Sequence, residues 1–89
     1  MTITTTRNIE IMTKEMAAIE RAVCARFFVS WEEMASDSRA RDIARPRQII
    51  MFLARERTAL SYPEIGDLVG KHHTTVLHGC RAIEKMLQE

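Results

Sequence analysis

Four polar residues, His72, His73, Thr74 and Thr75, follow one another where a helix is expected to begin. Imidazoles and hydroxyls donate and accept hydrogen bonds, and a threonine methyl can touch the methyl group of thymine. The first turn of a helix also offers unpaired backbone amides and the positive end of the helix dipole. This group therefore has the chemistry to contact the edges of DNA bases. The alternative is that one threonine caps the helix and the histidines are surface residues.

A tight turn between two helices is predicted around this group, in the stretch SYPEIGDLVGKHHTTVLHG. Ser61 and Glu64 have the spacing of a capping box, and Pro63 suits the first turn of a helix. Gly70 can adopt the left-handed conformation that ends a helix. The pattern indicates a helix-turn-helix over about residues 61–87, a unit whose second helix places its start against DNA bases.

The last helix of this unit is predicted from about His73 to Leu87, because apolar residues recur there at helical spacing. The predicted inward stripe is Val76, Cys80, Ile83 and Leu87. The polar residues left on the outer side or at the edge are His73, Thr74, His78 and Arg81.

The first helix is predicted from about Ile9 to Phe28, again from the spacing of its apolar residues. Its inward stripe is Met12, Met16, Ile19, Val23 and Phe27. We expect residues 1–8, which are rich in threonine, to be flexible, and residues 9–89 to form a single domain.

Two more helices lie between these. Ser30 and Glu33 have the capping-box spacing that starts a short second helix. The third helix is predicted to begin at the Arg45-Pro46 pair and to end near Arg57, because proline favours a first turn. Its inward residues should be Ile49, Ile50, Leu53 and Ala54. No alternating strand pattern competes, so we expect an all-α fold of about five helices.

Positive charge is concentrated in residues 39–57, which hold six arginines and two acidic residues for a net charge of +4. Arg39 and Arg41 fall in a stretch predicted to be flexible, from which arginines can reach phosphates or enter a narrow minor groove. The arginines at or along the third helix are Arg45, Arg47 and Arg55. The alternative is a solvated helix face that is rich in arginine.

Other classes of function find little support. The two cysteines and three histidines lack the paired spacing of zinc sites, so we expect no metal ion. We expect neither an enzyme nor a cofactor, because phosphate-loop, G-x-S-x-G and H-E-x-x-H motifs are absent. No apolar run approaches the roughly 20 residues that span a bilayer, and the N-terminus lacks the apolar segment of a secretory signal. We therefore expect a cytoplasmic, nucleoid-associated protein.

Two segments, IARPRQIIMFLARERT and SYPEIGDLVGKHHTTVLHGCRAIEKM, closely resemble the C-terminal DNA-binding domain of the bacterial replication initiator DnaA. The resemblance covers about residues 19–89, and its most specific parts are the PEIG and HTTVLH elements. It implies a Trp-repressor-like fold in which the last two helices form the helix-turn-helix. It also implies binding to the short, A·T-rich DnaA box in double-stranded DNA.

The resemblance assigns roles residue by residue. It places Arg39 in the minor groove and gives the base-reading positions to His72, His73, Thr74 and Thr75. The residues that it places near phosphates or against the DNA are Arg47, Gln48, Arg55, Tyr62, Pro63 and Lys71. Two departures bear on the target: the turn is one glycine shorter than the family's G-G-R, and His72 replaces the family aspartate. An aspartate accepts from cytosine N4, whereas a histidine can donate to guanine or accept.

The sequence carries no Walker motif of the initiator's ATPase module. We therefore expect a stand-alone DNA-binding domain that regulates replication initiation or transcription, or that competes with the initiator for its boxes. The other hypothesis is a protein-interaction module that binds a replication protein through the first helix, with weak or no specific DNA binding. The altered His72 and the shortened turn motivate it. The resemblance implies a monomer, and a homodimer through the methionine-rich first helix is the alternative.

Overall fold

The structure is a computed structural model that describes residues 2–38 and 40–88, with side chains from Lys14 onward. Met1, Arg39 and Glu89 lie outside the described residues. Within these ranges the chain forms five helices and no strand, which confirms the predicted all-α fold. The helices are α1 Thr2–Phe27, α2 Trp31–Ala35, α3 Arg41–Arg57, α4 Tyr62–Val69 and α5 His73–Gln88.

The predicted capping box of α2 is present. The Ser30 hydroxyl accepts from the Glu33 amide at 3.1 Å, and the Glu33 carboxylate accepts from the Ser30 amide at 2.9 Å. Two of the amides that have no partner inside the helix are thereby satisfied, which is why a helix of only five residues can form here.

The predicted start of α3 at Arg45-Pro46 was wrong, because the helix begins at Arg41. The Ala40 carbonyl accepts from the amides of Ile43 and Ala44 at 2.9 and 2.8 Å, which closes the first turn. Pro46 therefore lies inside the helix, where it cannot donate a backbone hydrogen bond. Burial of the Ile43 and Pro46 side chains in the domain offsets this loss.

The core lies around α3, which contacts each of the other four helices. Helix α5 also packs along α4, so the helix-turn-helix shares one core with α3. The fully buried residues include Ile50 of α3, Ile65 of α4 and Val76 of α5, each 0% exposed. Met16, Ile19 and Val23 of α1 complete this core as predicted, and Cys80 lies within it.

Two residues predicted to point inward are exposed. Phe27 is 39% exposed in the last turn of α1, and Leu87 is 69% exposed near the end of α5. Periodicity identifies the apolar face of a helix, but it does not show where the neighbouring helix ends. Helix α1 also begins at Thr2, before the predicted Ile9. The flexibility of residues 1–8 stays a prediction.

Three further chemical features concern the described residues. None of their helices is both long enough and apolar enough to cross a membrane. No three histidine, cysteine or carboxylate side chains among them come together as a metal-ligand cluster. Burial raises the pKa of the Cys80 thiol to about 11, as expected for a thiol that packs as a small apolar side chain.

Candidate nucleic-acid interface

The turn between α4 and α5 is held by backbone contacts at two glycines. Gly70 ends α4 with φ 71° and ψ 34°, the left-handed conformation that glycine adopts without strain. The Lys71 amide donates to the Gly66 carbonyl at 2.9 Å. The chain passes so close to Gly66 that a Cβ atom there would lie 2.5 Å from the Lys71 carbonyl oxygen. Glycine at these two positions therefore brings the start of α5 against α4.

The start of α4 carries the predicted capping box. The Glu64 carboxylate accepts from the Ser61 amide at 2.8 Å, and the Ser61 hydroxyl accepts from the Glu64 amide at 3.3 Å. These hydrogen bonds lower the pKa of the Glu64 carboxyl. Because the folded-state pKa is the lower one, the carboxylate stabilises the fold above its unfolded pKa. This contribution is lost as the pH falls through the folded value.

We expect Glu64→Gln to remove that acid-dependent part of the stability. In urea unfolding, the free energy of unfolding of the wild type should exceed that of Glu64→Gln by more at about pH 7 than at about pH 3. Asp67→Asn is the control, because that side chain lies on the same helix and takes no part in the cap. The same difference in free energy of unfolding at both pH values would contradict a role for the ionised carboxylate.

His72 precedes α5 and caps it with its imidazole. Its Nδ1 accepts from the Thr74 amide at 3.2 Å, and the Thr74 hydroxyl also contacts this nitrogen. A backbone N–H can only donate, so Nδ1 must be the unprotonated nitrogen of the ring. The proton of the neutral imidazole then lies on Nε2. His72 thus offers a hydrogen-bond donor, whereas an aspartate cap would offer only acceptors.

The exposed face of α5 is polar from His73 to Lys85, before the exposed apolar residues Met86 and Leu87. His73 stacks on His72 with ring centroids 4.2 Å apart, and both rings are exposed. Further along the helix, side chains at spacings of 4, 3 and 4 residues form an exposed polar stripe. The stripe consists of Thr74, His78, Arg81 and Lys85. The sequence placed His78 and Arg81 on the outer side or edge of this helix. Together with Lys85 they extend the candidate site beyond the residues that the resemblance assigned to DNA.

Helix α3 brings further polar groups to this face. A groove of about 250 Å³ between α3 and α5 is lined by Arg47 and Gln48 on one side and by Thr75 and His78 on the other. Gln48 lies seven residues after Arg41 and seven before Arg55, so these three residues share one face of α3. Arg41, which we predicted in a flexible stretch, lies instead in the first turn of α3.

Arg55 and Tyr62 form a pair where α3 gives way to α4. The Arg55 guanidinium lies 4.6 Å from the centre of the Tyr62 ring and donates to the Leu60 carbonyl at 2.9 Å. Arg55 itself remains exposed, and so does Pro63 in the first turn of α4. The planar cation and the aromatic ring are therefore held together at the surface.

Arg47 and Lys71, predicted to hold phosphates, direct their donors at backbone carbonyls between residues 33 and 38. Burial lowers the pKa of the Arg47 guanidinium, which nevertheless stays charged. Arg39, predicted to enter the minor groove, lies outside the described residues. The assignment of all three residues to DNA stays a prediction.

The fold and the polar face of α5 define a helix-turn-helix domain of the DNA-binding class. Residues 16–83 match the family model described as the bacterial dnaA protein helix-turn-helix. The chain belongs to this family. The matched region is the DNA-binding part of DnaA and not its ATPase module.

Relatives at about half identity carry the same segment. The chain is 50% identical over 70 residues to the chromosomal replication initiator protein DnaA of Chromobacterium violaceum. It is 48% identical over 69 residues to that of Sphingopyxis alaskensis and 49% over 71 residues to that of Methylobacillus flagellatus. These alignments cover 78%, 76% and 79% of the chain, and 15% of the length of each relative.

Proposed function

We propose that this domain binds double-stranded DNA at a DnaA-box-like, A·T-rich site and thereby regulates replication initiation or transcription. The observation that carries the proposal is the exposed start of α5, where His72, His73, Thr74 and Thr75 project beside a turn fixed by Gly66 and Gly70. A helix-turn-helix uses this end of its second helix to contact base edges in the major groove.

The other groups of the site are proposed to contact the DNA backbone. Gln48 and Thr75 lie around one groove, so a phosphate near the start of α5 would be within reach of α3. Arg41, Gln48 and Arg55 are spaced by about 10 Å along one face of α3, which suits contacts that follow a DNA backbone. Tyr62 and Pro63 add the first turn of α4, where the Tyr62 ring lies beside the Arg55 guanidinium.

The test is binding of the domain to a duplex with a DnaA box and to a scrambled duplex of the same composition, at two salt concentrations. Selective binding to the box is expected at both. Equal, salt-sensitive binding to the two duplexes would show backbone contacts alone, and the box-like target would be wrong. Binding to neither at low salt would contradict the proposal and favour the protein-interaction alternative.

Thr74→Ala should weaken binding to the preferred duplex by about 1–3 kcal/mol and reduce its preference over single-base-pair variants of the site. The reason is that Thr74 is exposed on the polar stripe of α5. Thr74→Ser is the matched variant, because it keeps the hydroxyl and removes only the methyl group. The same loss on every duplex would argue against contact with a base.

Arg55→Ala should weaken binding to all duplexes alike and reduce the slope of log K against log salt by about 0.9. The guanidinium stays at the surface beside Tyr62, where it can reach a phosphate. Arg57→Ala is the matched control, because Arg57 lines a cavity on the α1 side of α3 together with Glu15. An unchanged slope for Arg55→Ala would exclude a phosphate contact.

A further inference from the structure

Arg47 of α3 reaches across to the end of α2. Its Nε donates to the Met34 carbonyl at 2.8 Å, its Nη1 to the Ser38 carbonyl at 2.9 Å and its Nη2 to the Ser36 carbonyl at 2.9 Å. These carbonyls include acceptors at the C-terminus of α2, where a cation is favourable. One half-buried guanidinium thus fixes the exit of α2 and residues 36–38 of the α2–α3 connector, the segment 36–40 between the two helices.

Lys71 reaches the same segment from the turn before α5. Its Nζ donates to the Ser36 carbonyl at 2.7 Å and to the Ala35 carbonyl at 3.1 Å, and it lies 3.4 Å from Asp37 Oδ1. An ammonium group has three donor hydrogens, so these three acceptors match its full capacity. The side chain is only 12% exposed, whereas that of Asp37 is fully exposed. Contact with a phosphate would require Lys71 to give up one of these partners.

The Ser36 carbonyl accepts from both cations, at 2.9 Å from Arg47 and at 2.7 Å from Lys71. This one backbone group therefore links α3, the connector and the turn that leads into α5. The connector also holds itself through the Ser36 hydroxyl, which accepts from the Ser38 amide at 3.2 Å. The position of the connector relative to the start of α5 is set by the side chains of Arg47 and Lys71, and not by residues of the connector itself.

We propose that Arg47 and Lys71 are positioning residues that fix the α2–α3 connector against the start of α5, rather than contacts to DNA phosphates. The inference rests on the proposed function, because its consequence is that the connector and the base-reading end of α5 meet the duplex as one rigid unit. Arg41 follows this connector as the first residue of α3, so its guanidinium would be delivered at a fixed distance from His72 to Thr75.

The experiment compares Lys71→Met, which removes the charge and all three donors at similar length, with Lys71→Arg, which restores both. Lys14→Met is the matched control, since it removes one exposed lysine from α1, outside the candidate site. Arg47→Lys is the second variant, because it keeps the charge but not the fork that reaches three carbonyls. Amide exchange in the free protein is measured for residues 36–40, together with the salt dependence and the box selectivity of binding.

For Lys71→Met we expect faster exchange of the connector amides and an unchanged salt slope. Box selectivity should fall about three- to tenfold, because binding must then order the connector. Lys71→Arg should restore both the slow amide exchange and the box selectivity, and Arg47→Lys should loosen the connector without changing the slope. Lys14→Met should leave amide exchange in the connector as it is in the wild type.

A fall in slope of about 0.9 for Lys71→Met would identify a phosphate contact and overturn the proposal. Unchanged exchange of the connector amides in both Lys71→Met and Arg47→Lys would overturn it as well. If the wild-type protein does not distinguish the box from the scrambled duplex, the proposed function fails. Amide exchange in the free protein still decides whether the two cations hold the connector.

Discussion

Replacing His72 with aspartate is expected to reverse the base preference at one position of the target site. In the wild-type protein the capping geometry leaves the proton on Nε2, so the ring donates. In the proposed complex, its partners in the major groove would be acceptors such as guanine O6 and N7. An aspartate accepts instead and favours the N4 amino group of cytosine. Each preference is worth about 1–3 kcal/mol. The difference in binding free energy between guanine and cytosine at this position should therefore change by the sum of the two preferences.

This substitution should leave the fold intact, because aspartate is itself a good N-cap for α5. Binding is measured on four duplexes that differ at a single base pair. His72→Asn serves as a third arm, since an amide caps the helix and pairs best with adenine. The same ranking of the four duplexes in all three proteins would show that residue 72 does not face a base.

Gly66→Ala is expected to have the largest effect on stability. The added Cβ would lie 2.5 Å from the Lys71 carbonyl oxygen and 3.4 Å from the His73 amide nitrogen. Both neighbours are backbone atoms, which cannot rotate away as the end of a side chain can. Overpacking of this kind costs about 1–3 kcal/mol. In a domain of this size, each kcal/mol lowers Tm by about 4–8 °C.

DNA binding by Gly66→Ala should also weaken below its melting temperature, because the clash displaces the turn that carries Lys71 and leads into α5. Gly70→Ala is the control for the same turn. Its Cβ would meet no atom within 4 Å, and the cost there comes from the positive φ of 71° alone. Backbone strain of that kind is worth about 1–2 kcal/mol. A Gly66→Ala protein as stable as the wild type would contradict the close approach.

The capping boxes and the left-handed glycine were predicted correctly because they depend on neighbours in sequence. Ser30 with Glu33, and Ser61 with Glu64, close hydrogen bonds within a single turn. Gly70 ends α4 through its own positive φ, which depends on no distant residue. The same local rules failed at α3, where burial of Ile43 outweighs the preference of proline for a first turn. They failed again at Leu87, which has the spacing of a core residue and is exposed.

The family and the polar start of the recognition helix were also apparent from the sequence. The PEIG and HTTVLH elements indicated the DnaA helix-turn-helix, and the match over residues 16–83 confirms it. The residue types at the start of α5 were enough, before the structure was known, to predict hydrogen bonding to bases. They left open whether His72 donates or accepts, because the tautomer depends on where the Thr74 amide lies.

The sequence by itself determined the number of helices, the capping boxes of α2 and α4, and the family, since local patterns of residues carry this information. Only the tertiary structure decided which charged side chains remain available to a partner. Arg47 and Lys71 look alike in sequence to Arg55, yet they donate to carbonyls up to 13 and 36 residues away. Arg55 donates to a carbonyl only five residues away and stays at the surface. Such contacts are created when α2, α3 and the α4–α5 turn pack together, and no local pattern of residues contains them.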